Sequence, residues 1–238
     1  MPRFFKEFFE TAPFIDGEDA RHILRSLRMT VGEKITVSDT KGTDFDCVIS
    51  SCSADRVELE ILNKKKNDTE PTVFVTIYLC LTKGDKMDMA VRQSVELGAS
   101  KIVPVISTNC VSRPDEKSLK KKQERWQKIA DEAAGQSGRG ILPLVGKTLS
   151  LKQVCKEITK DDLCVFCYEL AKEQLSKFEE NIKNISVIIG PEGGFCVAEA
   201  EMLHTAGAKV ISLGKRILRA ETAPVAALSA VMIHSGNM

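Results

Sequence analysis

Two apolar strand patterns near the end of the chain, each followed by a loop and then a helical pattern, constrain its fold more than any other feature. The first runs from Ile185 to Gly190 and continues into Pro191 to Phe195. The second runs from Val210 to Leu213 and continues into Gly214 to Ala223. Strands that lead into helices in this way belong to parallel sheets, so both loops are expected at the carboxyl edge of one sheet, where open α/β folds bind ligands.

The same alternation of strands and helices extends over the chain after residue 71. Further strand patterns cover Val73 to Leu81, Ile102 to Ile106 and Leu163 to Tyr168. Helical patterns cover Lys86 to Leu97 and Pro224 to about His234. This alternation predicts an α/β domain with a largely parallel sheet.

The first 68 residues have a different pattern, with short strands and frequent turns. Strand signals are Lys34 to Val37, Phe45 to Ile49 and Arg56 to Ile61, which favour a small β-barrel or sandwich. One predicted helix, Asp19 to Met29, carries an apolar stripe of Ile23, Leu24 and Leu27. A polar segment at 63–71 then divides the chain, so we predict domains at 1–68 and 72–238.

Composition and charge indicate the cellular environment of the protein, but they do not identify its function. The 34 basic and 33 acidic residues give a net charge of +1, which neither predicts nor excludes a nucleic-acid partner because local clusters set the field. Eight cysteines lie scattered through apolar patterns and the first residues do not resemble a secretory leader, so we expect reduced thiols in a cytoplasmic protein. No stretch approaches the roughly 20 apolar residues of a membrane span.

The two loops indicate a flat ligand held by backbone groups. Gly193 and Gly194 can bring the main chain close to a ligand, and neither loop matches a glycine-rich phosphate-binding pattern. The second loop gathers three cations and a carboxylate in an apolar neighbourhood: Lys215, Arg216, Arg219 and Glu221. The alternative is a pair of tight strand-to-helix turns with incidental salt bridges, in which Glu221 and Thr222 only cap the last helix.

Other chemical patterns are incomplete. Cys164 and Cys167 have C-x-x-C spacing, but residues three apart on a strand face opposite sides, so no metal site is predicted. The three histidines belong to no recognisable catalytic group, and Ser137 lacks a G-x-S-x-G elbow. A hydrolase is therefore not expected.

Two basic segments are candidates for nucleic-acid contact. Arg21, Arg25 and Arg28 are spaced by four and three residues, which places them on one face of the predicted helix, where they can follow phosphates. A solvated charged face is the alternative. The run from Lys117 to Lys128 is also basic, but Glu116 and Glu124 interrupt it, so the solvated interpretation is favoured there.

Taken together, several motifs resemble the RsmE family of SPOUT-class RNA methyltransferases. The match covers nearly the whole chain, and its specificity lies in the order and spacing of the motifs. They are Met1-Pro2-Arg3-Phe4-Phe5, Leu27-Arg28-Met29, Gln93-Ser94-Val95-Glu96-Leu97-Gly98, Gln136-Ser137-Gly138-Arg139, Ile189 to Phe195, Leu213-Gly214 and Leu218-Arg219-Ala220-Glu221-Thr222-Ala223. The chain departs from the family pattern at Gly135, where a Glu is common and Glu132 could substitute, and at Cys196, where Ser or Thr is common and caps a helix better.

The resemblance implies a PUA-like RNA-binding β-barrel, a SPOUT α/β domain with a deep trefoil knot, and a homodimer. It also implies S-adenosylmethionine (SAM) as methyl donor and N3 of a uridine in 16S ribosomal RNA, within the small ribosomal subunit, as the acceptor. By the same analogy the cofactor would be held by Glu169, Ile189, Gly190, Gly194, Leu213, Leu218 and Thr222. The RNA would be contacted by Arg3, Arg21, Arg25 and Arg28.

Catalysis at N3 requires removal of a proton, and we expect Glu221 and Arg219 to carry this step. Glu221 would accept the proton directly or through water, while Arg219, or an arginine of a partner subunit, stabilises charge on the uracil oxygens. Alternatively, the two residues pair with each other and only shape the cofactor pocket. Rival functions are a different SPOUT activity, such as ribose 2'-O methylation of transfer or ribosomal RNA, and a non-catalytic ribosome-assembly factor.

Overall fold

The computed structural model describes residues 1–175 and 181–238, which form two compact units. Unit 1 comprises Met1–Glu70 and Ala134–Leu142, and unit 2 comprises Pro71–Ala133 and Pro143–Met238. The segment 134–142 therefore groups with the N-terminal residues, whereas the sequence-based division places it in the second domain.

Unit 1 is built on a five-stranded sheet with the order β1-β3-β4-β5-β2. Strand β1 pairs in parallel with β3, and the remaining neighbours are antiparallel. Side chains from these strands and from a short 3₁₀ turn form one core that includes Phe9, Ile35, Phe45 and Val57. This sheet confirms the prediction of a small N-terminal β domain. Its strands are β1 Arg3–Phe5, β2 Phe14–Asp16, β3 Lys34–Ser38, β4 Thr43–Cys52 and β5 Arg56–Lys66.

The helix of unit 1 differs from the prediction of one helix over Asp19 to Met29. Helix α1 spans Gly17–Arg21 and continues into a π-helical turn over His22–Ser26. The chain then reverses through Arg28 at φ 53°, and the Met29 N–H donates to the Ile23 carbonyl at 3.0 Å. This reversal buries Met29, leaves Leu27 41% exposed and takes Arg28 off the helical face of Arg21 and Arg25. The prediction of a continuous helix with Leu27 in its apolar stripe was therefore wrong.

Unit 2 contains a parallel sheet with the strand order β12-β10-β11-β6-β7-β8, in which β9 also pairs with β7. Among the described residues, every strand pair of this sheet is parallel, which confirms the predicted α/β architecture. Its strands are β6 Phe74–Cys80, β7 Lys101–Ile106, β8 Leu144–Val145, β9 Leu149–Ser150, β10 Leu163–Cys167, β11 Asn184–Ile189 and β12 Lys209–Ile211. Its helices are α2 Lys86–Glu96, α3 Glu116–Gln136, α4 Leu151–Ile158, α5 Val197–Thr205 and α6 Ala223–His234, and the last residues of α3 belong to unit 1.

The central strands β6 and β11 are buried along almost their whole length, as expected for a parallel sheet covered by helices on both faces. Register brings three strand ends together, because Phe166 lies opposite Ile188 and Cys167 lies opposite Ile211. The segments that follow β10, β11 and β12 therefore meet at one edge. The trefoil knot stays a prediction. In the part of the chain that the structure describes, no helix combines the length and apolar character needed to cross a membrane.

Candidate functional site

A cavity of about 530 Å³ lies in unit 2 at the carboxyl ends of β10, β11 and β12. Its wall consists of residues 167–169 after β10, residues 189–194 after β11 and residues 212–220 after β12, together with Lys86 and Ala223. Both loops that the sequence singles out thus line one cavity. Its volume falls in the range of about 300 to 1,000 Å³ that is typical of small-molecule sites.

Most of the predicted site residues of unit 2 belong to this wall. Glu221 and Thr222 do not. Thr222 is the N-terminal capping residue of α6 and its side chain is exposed, so the prediction that it contacts a cofactor gains no support from its position. The predicted residues in the wall are Glu169, Ile189, Gly190, Gly194, Leu213, Leu218 and Arg219.

The loop after β11 folds back on its own strand end. A Cβ atom on Gly190 would lie 2.9 Å from the ring of Phe195, so a larger residue would displace that ring. Phe195 is buried and packs edge-to-face on Phe166, with 5.0 Å between ring centroids. The glycine and the two aromatic rings therefore fix the curvature of the loop.

Gly194 brings Glu169 against the loop backbone. It adopts φ +65°, and a Cβ atom there would overlap the Glu169 Oε1 atom. Only glycine accommodates both the left-handed backbone and the carboxylate at this point. Glu169 had the weakest sequence support of the predicted contacts, since no motif surrounds it, yet its carboxylate lies in the wall of the cavity.

Asn109, which the sequence analysis missed, braces this loop from the segment that follows β7. Its Nδ2 atom donates to the carbonyls of Gly193 at 3.1 Å and Gly194 at 3.2 Å. A Cβ atom on Gly193 would lie 3.1 Å from the Asn109 Cβ atom, so the two segments are in close contact. The sequence signal that could have identified Asn109 is its place just after a strand of the same parallel sheet.

Helix α5 is tied to the same brace through Glu199. This side chain is 7% exposed and accepts hydrogen bonds from the Thr108 N–H at 2.7 Å and the Cys196 N–H at 3.1 Å. Burial disfavours the charged form of Glu199, but the hydrogen bonds outweigh burial and hold its pKa below the usual range. Cys196 caps the helix in place of Ser or Thr, and Glu199 completes the capping box.

The loop after β12 gives the cavity an electropositive rim. Gly214 adopts φ +116°, and its N–H donates to the Ser212 Oγ atom at 3.2 Å. Lys215, Arg216 and Arg219 are exposed around this loop. Since all three also line the cavity, its mouth favours a ligand with negative or electron-rich groups.

The loop after β11 contributes an acid to the cavity wall. Glu192 pairs with Lys86 at 3.1 Å and accepts the Lys83 N–H at 3.2 Å. Burial opposes ionisation of Glu192, but these contacts prevail and lower its pKa. The carboxylate therefore stays charged while it holds the loop after β11 to the start of α2.

Arg219 and Glu221 lie close in sequence, but their side chains differ in exposure. The Arg219 carbonyl accepts the N–H groups of Thr222 and Ala223, both at 2.9 Å, while its side chain is exposed. Glu221 is half-buried, and its buried Oε2 atom has no hydrogen-bond partner among the described residues. No ion pair between the two side chains occurs within the described structure, so their mutual pairing, the alternative from sequence, is absent here.

The predicted RNA contacts of unit 1 fall into two groups. Arg21, Arg25 and Arg28 are exposed. Arg3 instead forms a two-point ion pair with the buried Asp44 at 2.5 and 2.9 Å and donates to the Arg139 carbonyl at 3.2 Å. Its side chain is only 14% exposed, so Arg3 stabilises unit 1 and its guanidinium is not available to RNA.

The motif Gln136 to Arg139 also contributes to the structure of unit 1. Arg139 is buried and pairs with Glu70 at 2.8 Å, and Glu70 accepts the Gly140 N–H at 2.9 Å. The nearby Asn67 donates to the Gly138 carbonyl at 3.1 Å. A Cβ atom on Gly135 would lie 3.7 Å from the Arg3 carbonyl oxygen. Glu132 is exposed. Within 1–175 and 181–238, no cluster of three or more potential metal ligands occurs.

Comparisons with known proteins agree with this arrangement. Residues 69–232 match the family described as RNA methyltransferase domain, and residues 15–62 match the family described as RNA methyltransferase PUA domain. Ribosomal RNA small subunit methyltransferase E of Bacillus subtilis is 36% identical over 97% of this chain and 96% of its own. The crystal structure of a ribosomal RNA small subunit methyltransferase E from Neisseria gonorrhoeae bound to S-adenosyl methionine superposes with a TM-score of 0.89, at 33% identity over 98% of this chain and 97% of that one. A putative methyltransferase from Legionella pneumophila in complex with SAM gives a TM-score of 0.88 at 26% identity, covering 98% of this chain and 97% of that one.

Proposed function

The chain belongs to the ribosomal RNA small subunit methyltransferase E family, and from this premise we propose that it methylates N3 of a uridine in 16S ribosomal RNA with SAM as the methyl donor. The observation that carries the proposal is the cavity of unit 2, where two glycine-containing loops and Glu169 meet at the carboxyl ends of three parallel strands. Ligands of open α/β sheets bind at this kind of edge.

The residues of the cavity fit SAM. Bound SAM supplies a methyl group on a positively charged sulfur, so the protein mainly has to orient the reactants. Gly190 and Gly194 bring loop backbone into the cavity wall, and the Glu169 carboxylate is an acceptor suited to ribose hydroxyls. The remaining contacts in this proposal are backbone groups of Ile189, Leu213 and Leu218.

Uridine N3 carries a proton at neutral pH, and this proton has to leave for methylation to occur. In the proposal, Glu221 accepts it directly or through water, and Arg219 stabilises the charge that develops on the uracil oxygens. The exposed guanidinium of Arg219 at the rim of the cavity supports its part. The part of Glu221 is supported by its buried Oε2 atom, which accepts no hydrogen bond from the described residues and is therefore free to take up a proton.

Replacement of Glu221 tests the catalytic part of the proposal. Glu221→Gln keeps the size of the side chain but removes the base, so turnover at saturating SAM and RNA should fall by about 10²- to 10⁴-fold. Glu201→Gln is the matched control, since Glu201 is exposed on α5. Near-normal turnover of Glu221→Gln together with weaker SAM binding would instead show that Glu221 only shapes the cofactor pocket.

Substrate binding in this proposal involves unit 1. Its exposed Arg21, Arg25 and Arg28 contact the RNA backbone, and this contact helps to expose the target base, which normally costs a few kcal/mol. We further propose that the protein acts as a homodimer in the cytoplasm. Light scattering of the purified protein at micromolar concentration tests the dimer.

The whole proposal is tested by incubation of the protein and labelled SAM with unmethylated small ribosomal subunits, followed by mass spectrometry of the RNA. Label on N3 of one uridine is the expected result. Label on a ribose 2'-oxygen would point to the rival SPOUT activity. If calorimetry detects no SAM binding and no label is transferred, a non-catalytic assembly factor remains.

A further inference from the structure

Helix α3 presents a row of lysines on the side opposite to its buried face. At 3.6 residues per turn, positions 117, 120, 121 and 128 fall within about one third of the helix circumference. The opposite side carries Trp126 and Ala130, both buried. The outward row, called here the lysine stripe, consists of the exposed residues Lys117, Lys120, Lys121 and Lys128.

The neighbouring basic residues of α3 have partners within unit 2. Arg125 pairs with Asp88 of α2, and Lys122 lies over the Trp126 ring at 5.9 Å from its centroid. By contrast, no ammonium group of the lysine stripe takes part in an ion pair within the described residues. Among the described residues, the stripe therefore differs from Arg125 and Lys122 in that its ammonium groups make no ion pair.

The charge of the stripe is local. The whole chain has a net charge of only +1, whereas four ammonium groups lie along one face and Glu124 is the acid among them. From Lys117 to Lys128 the axis rises about 16 Å, which spans about four or five phosphates of one nucleic-acid strand. Mutual repulsion of the lysines is relieved by a polyanion of this length.

We propose that the lysine stripe is a phosphate-binding surface by which unit 2 holds the ribosomal RNA substrate. This inference rests on the function proposed above, since RNA is the polyanion of that reaction. It adds a contact separate from the arginines of unit 1. Phosphate contacts carry no base information, so the stripe contributes affinity and orientation, whereas target choice lies elsewhere.

A pair of matched double variants tests the inference. Lys117→Gln/Lys121→Gln removes two charges from the stripe. Lys152→Gln/Lys156→Gln removes two exposed lysines with the same i, i+4 spacing from α4 of the same unit. Filter binding of transcribed 16S ribosomal RNA over a series of KCl concentrations gives the affinity and its salt dependence.

The stripe variant should bind the RNA on the order of tenfold more weakly at low salt, with a log–log salt slope shallower by about 1.4 to 1.8. The α4 variant should lose less than about twofold, because it changes only the long-range field. Glu124→Lys adds a cation to the stripe and should tighten binding several-fold with a steeper slope. The affinity for SAM should be unchanged in all three.

Equal losses in the two double variants would overturn the inference, since net charge would then explain the effect. Absence of any gain in Glu124→Lys would also count against it. Failure of the proposed function would be distinguishable, because it would appear as absent methyl transfer by the unaltered protein. The stripe assay measures RNA affinity alone.

Discussion

Asn109 holds the loop after β11 through hydrogen bonds that run in one direction. Its amide nitrogen donates to two carbonyls, those of Gly193 and Gly194. Asn109→Asp keeps the shape of the side chain but places a carboxylate against both carbonyl oxygens, whereas Asn109→Ala only removes the donor. We expect SAM to bind about tenfold more weakly to the Ala variant and more weakly still to the Asp variant, as measured by calorimetry.

The matched control is Asn184→Asp, which introduces the same charge at an exposed residue at the opposite end of β11. Its affinity for SAM should equal that of the unaltered protein. If Asn109→Asp binds SAM as tightly as Asn109→Ala, the direction of these hydrogen bonds does not matter for the loop.

At the scale of residues, sequence reasoning found the cavity wall where local chemistry is distinctive. Gly190, Gly194 and Arg219 stand in loops whose composition is unusual for a plain turn, and all three line the cavity. Asn109 escaped because a single carboxamide after a strand is common, and its partners are 84 and 85 residues away. Hydrogen bonds over such separations leave no periodic signal in one sequence.

Two glycines that follow helices have nearly the same backbone angle but differ in how closely other residues pack against them. Gly98 follows α2 at φ +92°, and Gly207 follows α5 at φ +98°. A Cβ atom on Gly98 would lie 2.7 Å from Pro71, whereas a Cβ atom on Gly207 would meet nothing within 4 Å. The two glycines therefore have the same conformation and different surroundings.

Alanine substitution of each glycine should separate strain from overlap. Both variants incur a left-handed backbone cost of about 1 to 3 kcal/mol. Gly98→Ala should lose about a further 1 to 3 kcal/mol of unfolding free energy, because the rigid Pro71 ring has to move. Urea titration followed by circular dichroism measures both. Equal losses would show that the contact with Pro71 relaxes freely.

The sequence predicted the long strands of unit 2 well, but it missed the shortest strands and gave the helix of unit 1 the wrong end. Long apolar strands such as β6 and β11 were found because full burial on both faces produces continuous hydrophobic runs. The short strands β8 and β9, of two residues each, have no such signal. The helix near Arg25 was predicted too long because periodicity does not reveal the π-helical turn or the left-handed Arg28 that buries Met29.

At the scale of the whole molecule, the two compact units do not follow the order of residues along the chain. Residues 134–142 belong to unit 1, although more than sixty residues of unit 2 precede them. Within this segment the Arg139 side chain is 4% exposed and pairs with Glu70 at 2.8 Å. A domain boundary predicted from a polar segment cannot show that a later segment joins the first unit, because only folding brings Arg139 to Glu70.

Removal of Arg139 should therefore destabilise unit 1 in particular. Arg139→Ala leaves the largely buried Glu70 carboxylate without its cation, which typically costs about 3 to 5 kcal/mol. Hydrogen exchange should show faster exchange of the amides of β3 and β4. SAM affinity should stay within about twofold of the unaltered protein, because every wall residue of the cavity belongs to unit 2.

The control for this prediction is Lys64→Ala in the same unit. Lys64 pairs with Glu10 at 2.6 Å, but both side chains are more than half exposed, so the loss should stay below about 1 kcal/mol. If Arg139→Ala weakened SAM binding as strongly as it loosened β3 and β4, the segment 134–142 would couple the two units energetically. If both variants were equally stable, the buried pair would contribute no more than an exposed one, and the attachment of 134–142 would depend on the hydrogen bonds of Asn67 and Ser38 instead.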